Sequence, residues 1–186
     1  MPGSGQRSAR FASRTLLVAG LGIFAVACNR RGDERTEHAA PTPAVASAVA
    51  RSHAKPKLEH RAGIQAPLEQ FVQQHVEEAD ASGMRVLVYV GATWCEPCQR
   101  FHKSLESGEL DDALAGTKFI EFDADRDRAE LRDAGYASKY IPLFSVPDQS
   151  GHASGHAIEG SIKGDNAVRQ NLVPRLLALL DGKPTD

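Results

Sequence analysis

The sequence predicts an α/β domain: a central mixed sheet of four strands, with sequence enough for a fifth, flanked by helices and preceded by an extra N-terminal helix. Three observations carry that prediction. Helical and strand-like apolar spacings alternate along residues 61–186, a length suited to one compact core. The run Val86-Leu87-Val88-Tyr89-Val90 reads as a buried strand that empties, through Gly91-Ala92-Thr93-Trp94, into Cys95-Glu96-Pro97-Cys98. The element order, helix, strand, helix, strand, helix, hairpin, helix, fits two parallel crossovers followed by an antiparallel pair.

Each element has its own signal. Leu68, Phe71, Val72, His75 and Val76 recur at helical spacing before polar Glu77, Glu78 and Asp80, so an amphipathic helix leads into the first strand, with His75 at its edge. Phe101 and Leu105 continue a helix beyond the cysteines, and Ser107-Gly108 interrupts it before Leu110 and Leu114. Lys118 to Phe122 reads as the second strand, Asp123-Ala124-Asp125 as a turn with a helix cap, and Arg126 to Ala134 as a short helix. Pro142 to Val146 is the third strand, and the turn residues of Pro147 to Gly155 lead to a fourth around Ala157 to Glu159. Asp165 is placed to cap a last helix carrying Val168, Leu172, Leu176, Leu177 and Leu180. That helix ends near Gly182, and Pro174 kinks or restarts it.

The two cysteines carry the chemistry. A strand followed by a helix puts Cys95 at the helix N-terminus, where unpaired N–H groups and the helix dipole favour a thiolate. Cys98 falls one turn further in on the same face, more buried and less reactive. Pro97 in the first turn gives up an N–H that had no intrahelical partner. Zinc sites share the Cys-x-x-Cys spacing; the other ligands would have to come from residues such as His152 and His156, which read as exposed members of a Gly/Ser-rich turn. Haem attachment requires His directly after the second cysteine, and this chain has Gln99.

Trp94-Cys95-Glu96-Pro97-Cys98 resembles the active site of the thioredoxin superfamily, and the element order resembles that fold along the whole of residues 61–186. The resemblance implies a redox-active Cys95–Cys98 disulfide with no other cofactor. It implies a cis-proline at Ile141-Pro142 opposite the dithiol, where the Ile141 backbone pairs with an extended substrate and Pro142 packs beside Cys95. Trp94 joins them in substrate binding, and Gly160 matches a glycine that keeps the groove wall low. Cys95 is then the attacking and Cys98 the resolving thiol of a protein-disulfide reductase or oxidoreductase. Two positions depart from the family. Tyr89 stands where thioredoxins commonly place a buried acid behind the dithiol. Glu121 could supply the missing base if it faces the cysteines; a partly solvated strand carboxylate is the alternative. Glu96 replaces the commonest glycine between the cysteines, and its charge opposes thiolate formation. Glu-Pro also occurs in relatives that reduce apocytochrome c thiols. Gly91-Ala92-Thr93-Trp94 looks closer to periplasmic thioredoxin-like domains of thiol:disulfide interchange proteins.

The amino-terminal residues set the expected compartment. Arg7, Arg10 and Arg14 precede an apolar run from Leu16 to Ala27, which is short of the about 20 residues of a bilayer span and reads as a signal peptide over residues 1–27. Ala25-Val26-Ala27-Cys28 resembles a bacterial lipobox, with Ala25 where Leu is usual, so Cys28 is either a lipidated first residue of the mature chain or incidental to ordinary cleavage. Residues 28–60, rich in Ala, Pro, Arg, Glu and Ser, read as a flexible tether. Lipidation would leave Cys95 and Cys98 as the two thiols of an oxidising compartment, able to pair with each other. The expected partners are protein thiols and disulfides, a membrane-embedded electron donor, and the membrane through the lipid. The formal charge of −2 gives no reason to expect nucleic-acid binding. A non-catalytic peptide-binding module and metal delivery are the readings from other classes.

Overall fold

The computed structural model describes residues 52–61 and 66–185. Five strands form one mixed sheet: β1 (Lys57–His60), β2 (Arg85–Gly91), β3 (Thr117–Asp123), β4 (Leu143–Pro147) and β5 (Ala153–Glu159), in the order β1-β3-β2-β4-β5. β3 runs parallel to β1 and β2, pairing Phe119 with Leu58 and with Leu87. β4 runs antiparallel to β2 and β5, pairing Leu143 with Val90 and Phe144 with Ile158. The parallel pairs need crossovers, and the helices α1 (Leu68–Ser82) and α2 (Glu96–Glu106) supply them. α3 (Arg128–Asp133) precedes β4, and α4 (Val173–Leu180) ends the domain.

Burial follows strand alternation. On one face Val88, Val90, Ile120 and Phe122 pack with Leu68, Phe71, Val72 and Val76 of α1. On the other, Leu87, Tyr89, Phe119 and Phe144 pack with Cys98 and Phe101 of α2 and Leu176 of α4. Phe101, Phe119 and Phe144 meet edge-on at centroid distances of 4.9 to 6.0 Å. Each such pair contributes roughly 0.5–1.5 kcal/mol beyond its buried area. This aromatic wedge fixes α2, and therefore the cysteines, against the sheet.

Three elements differ from the sequence reading. The composition assigns residues up to 60 to the tether, yet Lys57–His60 forms the fifth strand, and Ala54 accepts a hydrogen bond from Gly116 N–H at 2.6 Å. Main-chain pairing with β3 needs little apolar sequence, and Leu58 packs against the core. β5 starts at Ala153, four residues before Ala157, because the Asp148 carboxylate gathers the Ser150 and His152 N–H groups into a tight turn. His156 is therefore on an exposed strand rather than in the turn. Asp165 does not cap the last helix; it pairs with Arg100 at 2.8 Å. That helix opens as a π-helical segment, Ala167–Leu172, and resumes as α4 with Pro174 in its first turn. Proline has no N–H to give the preceding turn, and the wider register before it accommodates the loss.

Candidate active site

β2 ends at Gly91, and three residues later the chain turns into α2 with Cys95 at the N-cap. Cys95 Sγ accepts the Cys98 N–H at 3.3 Å, so the sulfur does the work usually given to a serine or aspartate oxygen. Cys95 and Cys98 form a disulfide, with Cα atoms 5.2 Å apart. Both are buried, and Pro97 lies between them in the first helical turn.

The Ile141-Pro142 peptide is cis. Because β4 runs antiparallel to β2 and Leu143 pairs with Val90, the residues entering β4 lie beside the loop that leaves β2 for Cys95. Ile141 packs against the core cluster that contains both cysteines. Gly160 N–H donates to Pro142 O at 2.9 Å with φ of 68°, and a Cβ there would stand 3.3 Å from Tyr140 Cβ. Trp94 is 66 % exposed and donates its indole N–H to Asp125 at 2.8 Å. With Tyr140, Ile141, Asp125 and Arg128 it lines a groove of about 590 Å³.

Glu96, between the cysteines, is held by two partners. Arg100 holds it as an ion pair, and Gly164 N–H donates to the same carboxylate oxygen at 3.2 Å. The Arg100 contact keeps its carboxyl below the usual range. Asp165 adds a second carboxylate to Arg100, and Lys163 adds a second cation near Glu96, so both signs of charge meet near the N-terminus of α2.

Behind the dithiol, Tyr89 is fully buried, stacked on Phe144 at 5.0 Å and tilted against Phe101 and His102. Its hydroxyl has no hydrogen-bond partner among the described residues, and burial pushes the phenol far up. It is a poor base. A Cβ on Gly91 would stand 2.5 Å from the Tyr89 hydroxyl and 3.5 Å from Cys98 Cβ, so Gly91 leaves the space that lies between them. Beside it on β3, Glu121 meets His102 Nε2 at 2.8 Å and His60 Nδ1 at 2.6 Å. The His60 contact is a charge contact rather than an aligned hydrogen bond, since Glu121 Oε2 has no donor at hydrogen-bond angles. Glu121 holds the His102 pKa above its ordinary value. Cys98, Gln99, His102, Glu106 and Glu121 line one cleft of about 360 Å³. Glu121 is a partly exposed carboxylate of β3, and it also lines the cleft that Cys98 lines.

His102, His60 and Asp125 are the contacts that sequence reasoning missed. His102 had a signal, four residues after Cys98 on the same helical face. Cys28 lies outside the described residues, as do the residues read as a signal peptide and most of those read as a tether. Among the described residues no helix is long and apolar enough to cross a membrane, and no group of three or more His, Cys, Asp and Glu side chains is arranged to hold a metal.

Residues 67–148, from the start of α1 through β4, match a family model described as thioredoxin-like. The fold is thioredoxin-like. Among solved structures, a mutant thioredoxin from Halobacterium salinarum NRC-1 aligns at 16 % identity and a TM-score of 0.41, over 73 % of this chain and 95 % of that one. Trichomonas vaginalis thioredoxin aligns at 23 % identity and 0.40, over 67 % and 96 %. Thioredoxin O2 from Arabidopsis thaliana, in its oxidized state, aligns at 14 % and 0.37, over 71 % and 96 %. No curated protein matches the chain. The thioredoxin-like domain and its close cysteine pair support thiol-disulfide oxidoreductase chemistry in general terms.

Proposed function

We propose that this chain is an exported, membrane-tethered thiol-disulfide oxidoreductase that serves protein disulfides as a reductant or relay. The observation that carries the reading is the Cys95–Cys98 disulfide whose outer sulfur caps α2. In the reduced protein the same N–H and the helix dipole favour the Cys95 thiolate. That thiolate attacks a substrate disulfide. One substrate sulfur leaves, a mixed disulfide to Cys95 forms, and Cys98 displaces the second substrate thiol while closing the Cys95–Cys98 bond. Lowering a thiol pKa from about 8.5 to about 7 raises the thiolate fraction at pH 7 roughly 15-fold, but lost nucleophilicity takes back about 5-fold. The net gain is about 3-fold, so positioning by Trp94, Ile141 and Pro142 has the larger share of the work.

The Glu96 carboxylate, placed between the two cysteines, supports the reducing direction. Its charge in the first turn of α2 competes with the thiolate for the helix dipole, and a less stabilised thiolate makes a weaker oxidant. Lipidation at Cys28 would tether the domain, and a membrane-embedded donor would return its electrons. The test is the reduction potential of the full chain equilibrated against glutathione and dithiothreitol. A value near about −270 mV supports the reductant or relay, and one near about −120 mV makes the protein a disulfide donor. Loss of membrane association in Cys28→Ser, with the soluble form retained outside the cytoplasm, is the expected outcome for the anchor.

A further inference from the structure

Resolution of a mixed disulfide needs the Cys98 thiol to lose a proton in a site where it is only 2 % exposed. Tyr89 beneath it cannot take that proton, because burial holds the phenol in its neutral form. The cleft shared by Cys98, His102 and Glu121 offers another route. Cys98 and His102 stand one helical turn apart on the same face of α2. Glu121 Oε1 engages His102 Nε2, which fixes that nitrogen as the N–H donor of the neutral ring and leaves Nδ1 as the basic one. The cleft has room for one bridging water where the direct path is too long.

We propose that His102 is the proton acceptor of the resolving cysteine and that Glu121 is its positioning residue, braced in turn by His60 from the edge strand. The inference rests on the dithiol exchange proposed above. In the step, the Cys98 S–H proton passes to His102 Nδ1. The Cys98 sulfur pair attacks Cys95 Sγ of the mixed disulfide, the Cys95–Cys98 bond forms, and the substrate sulfur leaves with the electron pair. The imidazolium then returns its proton to that departing thiolate, so His102 ends as it began. Glu121 stabilises the transient positive charge on the ring. The other charged or titratable groups near the pair are Glu106 and Lys103 from α2, Asp123 from β3 and Arg126 from the following loop. Arg126 is itself bound to Asp127, so it does not neutralise Glu121 by contact.

The test follows release of the second glutathione after reduced full-length protein carrying Cys28→Ser meets oxidised glutathione, from pH 5 to 9.5. Relative to that parent, His102→Gln is expected to slow resolution at pH 7 at least tenfold while leaving formation of the Cys95–glutathione adduct unchanged. Its rate should rise with pH along an ordinary thiol titration and approach the parent rate near pH 9.5. Glu121→Gln keeps an oxygen acceptor but loses the charge. It should slow resolution about threefold and lower the His102 pKa read by NMR, which keeps the idea testable if His102→Gln does not fold. Resolution rates and pH profiles like the parent's in the folded variants would overturn the relay. Failure of Cys98→Ser to accumulate any adduct would instead overturn the exchange reading itself.

Discussion

β3 carries two histidine–carboxylate clusters on opposite faces of the sheet, and they differ in what closes them. Facing α1, buried Lys118 reaches Glu78 at 3.0 Å and His75 at 3.2 Å, and His75 also stands 3.0 Å from Glu78 and edge-on to Phe71. Three residues along the strand, and so on the other face, Glu121 meets His102 and His60. A lysine saturates the first cluster and drives the Glu78 carboxyl down to about 2. Glu121 instead meets two histidines, His102 and His60, and holds the His102 pKa above its ordinary value. Similar ingredients therefore make a structural clamp on one face and a proton site on the other, and the fixed cation decides which.

The largest effect expected on this contrast comes from crowding the redox face. Gly91→Ala places a methyl 2.5 Å from the Tyr89 hydroxyl and 2.9 Å from its ring carbon, and urea denaturation should show a loss of about 2 kcal/mol. Adding Tyr89→Phe removes the nearer clash and an unpartnered hydroxyl, so the double variant should recover about 1 kcal/mol. Strict additivity of the two changes would show that this face is not rigidly packed.

Glu78→Gln tests the clamp. The folded carboxyl titrates at about 2 against 4.5 unfolded, so its contribution is complete above pH 4.5 and disappears as the pH falls through about 2. Because Glu78 is nearly half exposed, solvent screening limits the loss in the variant to about 1 kcal/mol at pH 7. The gap between variant and parent should close in acid, while glutathione release stays at the parent rate. A change in that rate would mean that the two clusters communicate through the sheet. The smallest stability effect belongs to the substrate side. Trp94→Phe loses the bond to Asp125 on an exposed ring, so stability should stay within about 0.5 kcal/mol while KM for a protein disulfide rises a few-fold.

The fold was legible because its central strands and helices bury continuous or periodic apolar stretches, from Leu87 to Val90 and from Leu68 to Ala79. β1 was not, since a strand held by main-chain pairing and a lone Leu58 leaves almost no hydrophobic trace. The placement of Cys95 and Cys98 at a helix start followed from local order. The role of Asp165 did not, because Arg100, 65 residues away, draws it from the cap. His60 shows the same limit: its contact with Glu121 exists only once β1 is laid beside β3, and no local spacing announces that.

On the proposed function, exchange with protein disulfides brings the domain extended backbones looking for a ladder to join. The sheet edge it shows them at β1 is only four residues long, with Lys57 and Glu59 interleaved among its side chains. Such an edge gives an arriving strand too few hydrogen bonds to hold and places both signs of charge in its path. The shortness that hid β1 in the sequence thus works against the domain being templated into aggregates through this edge.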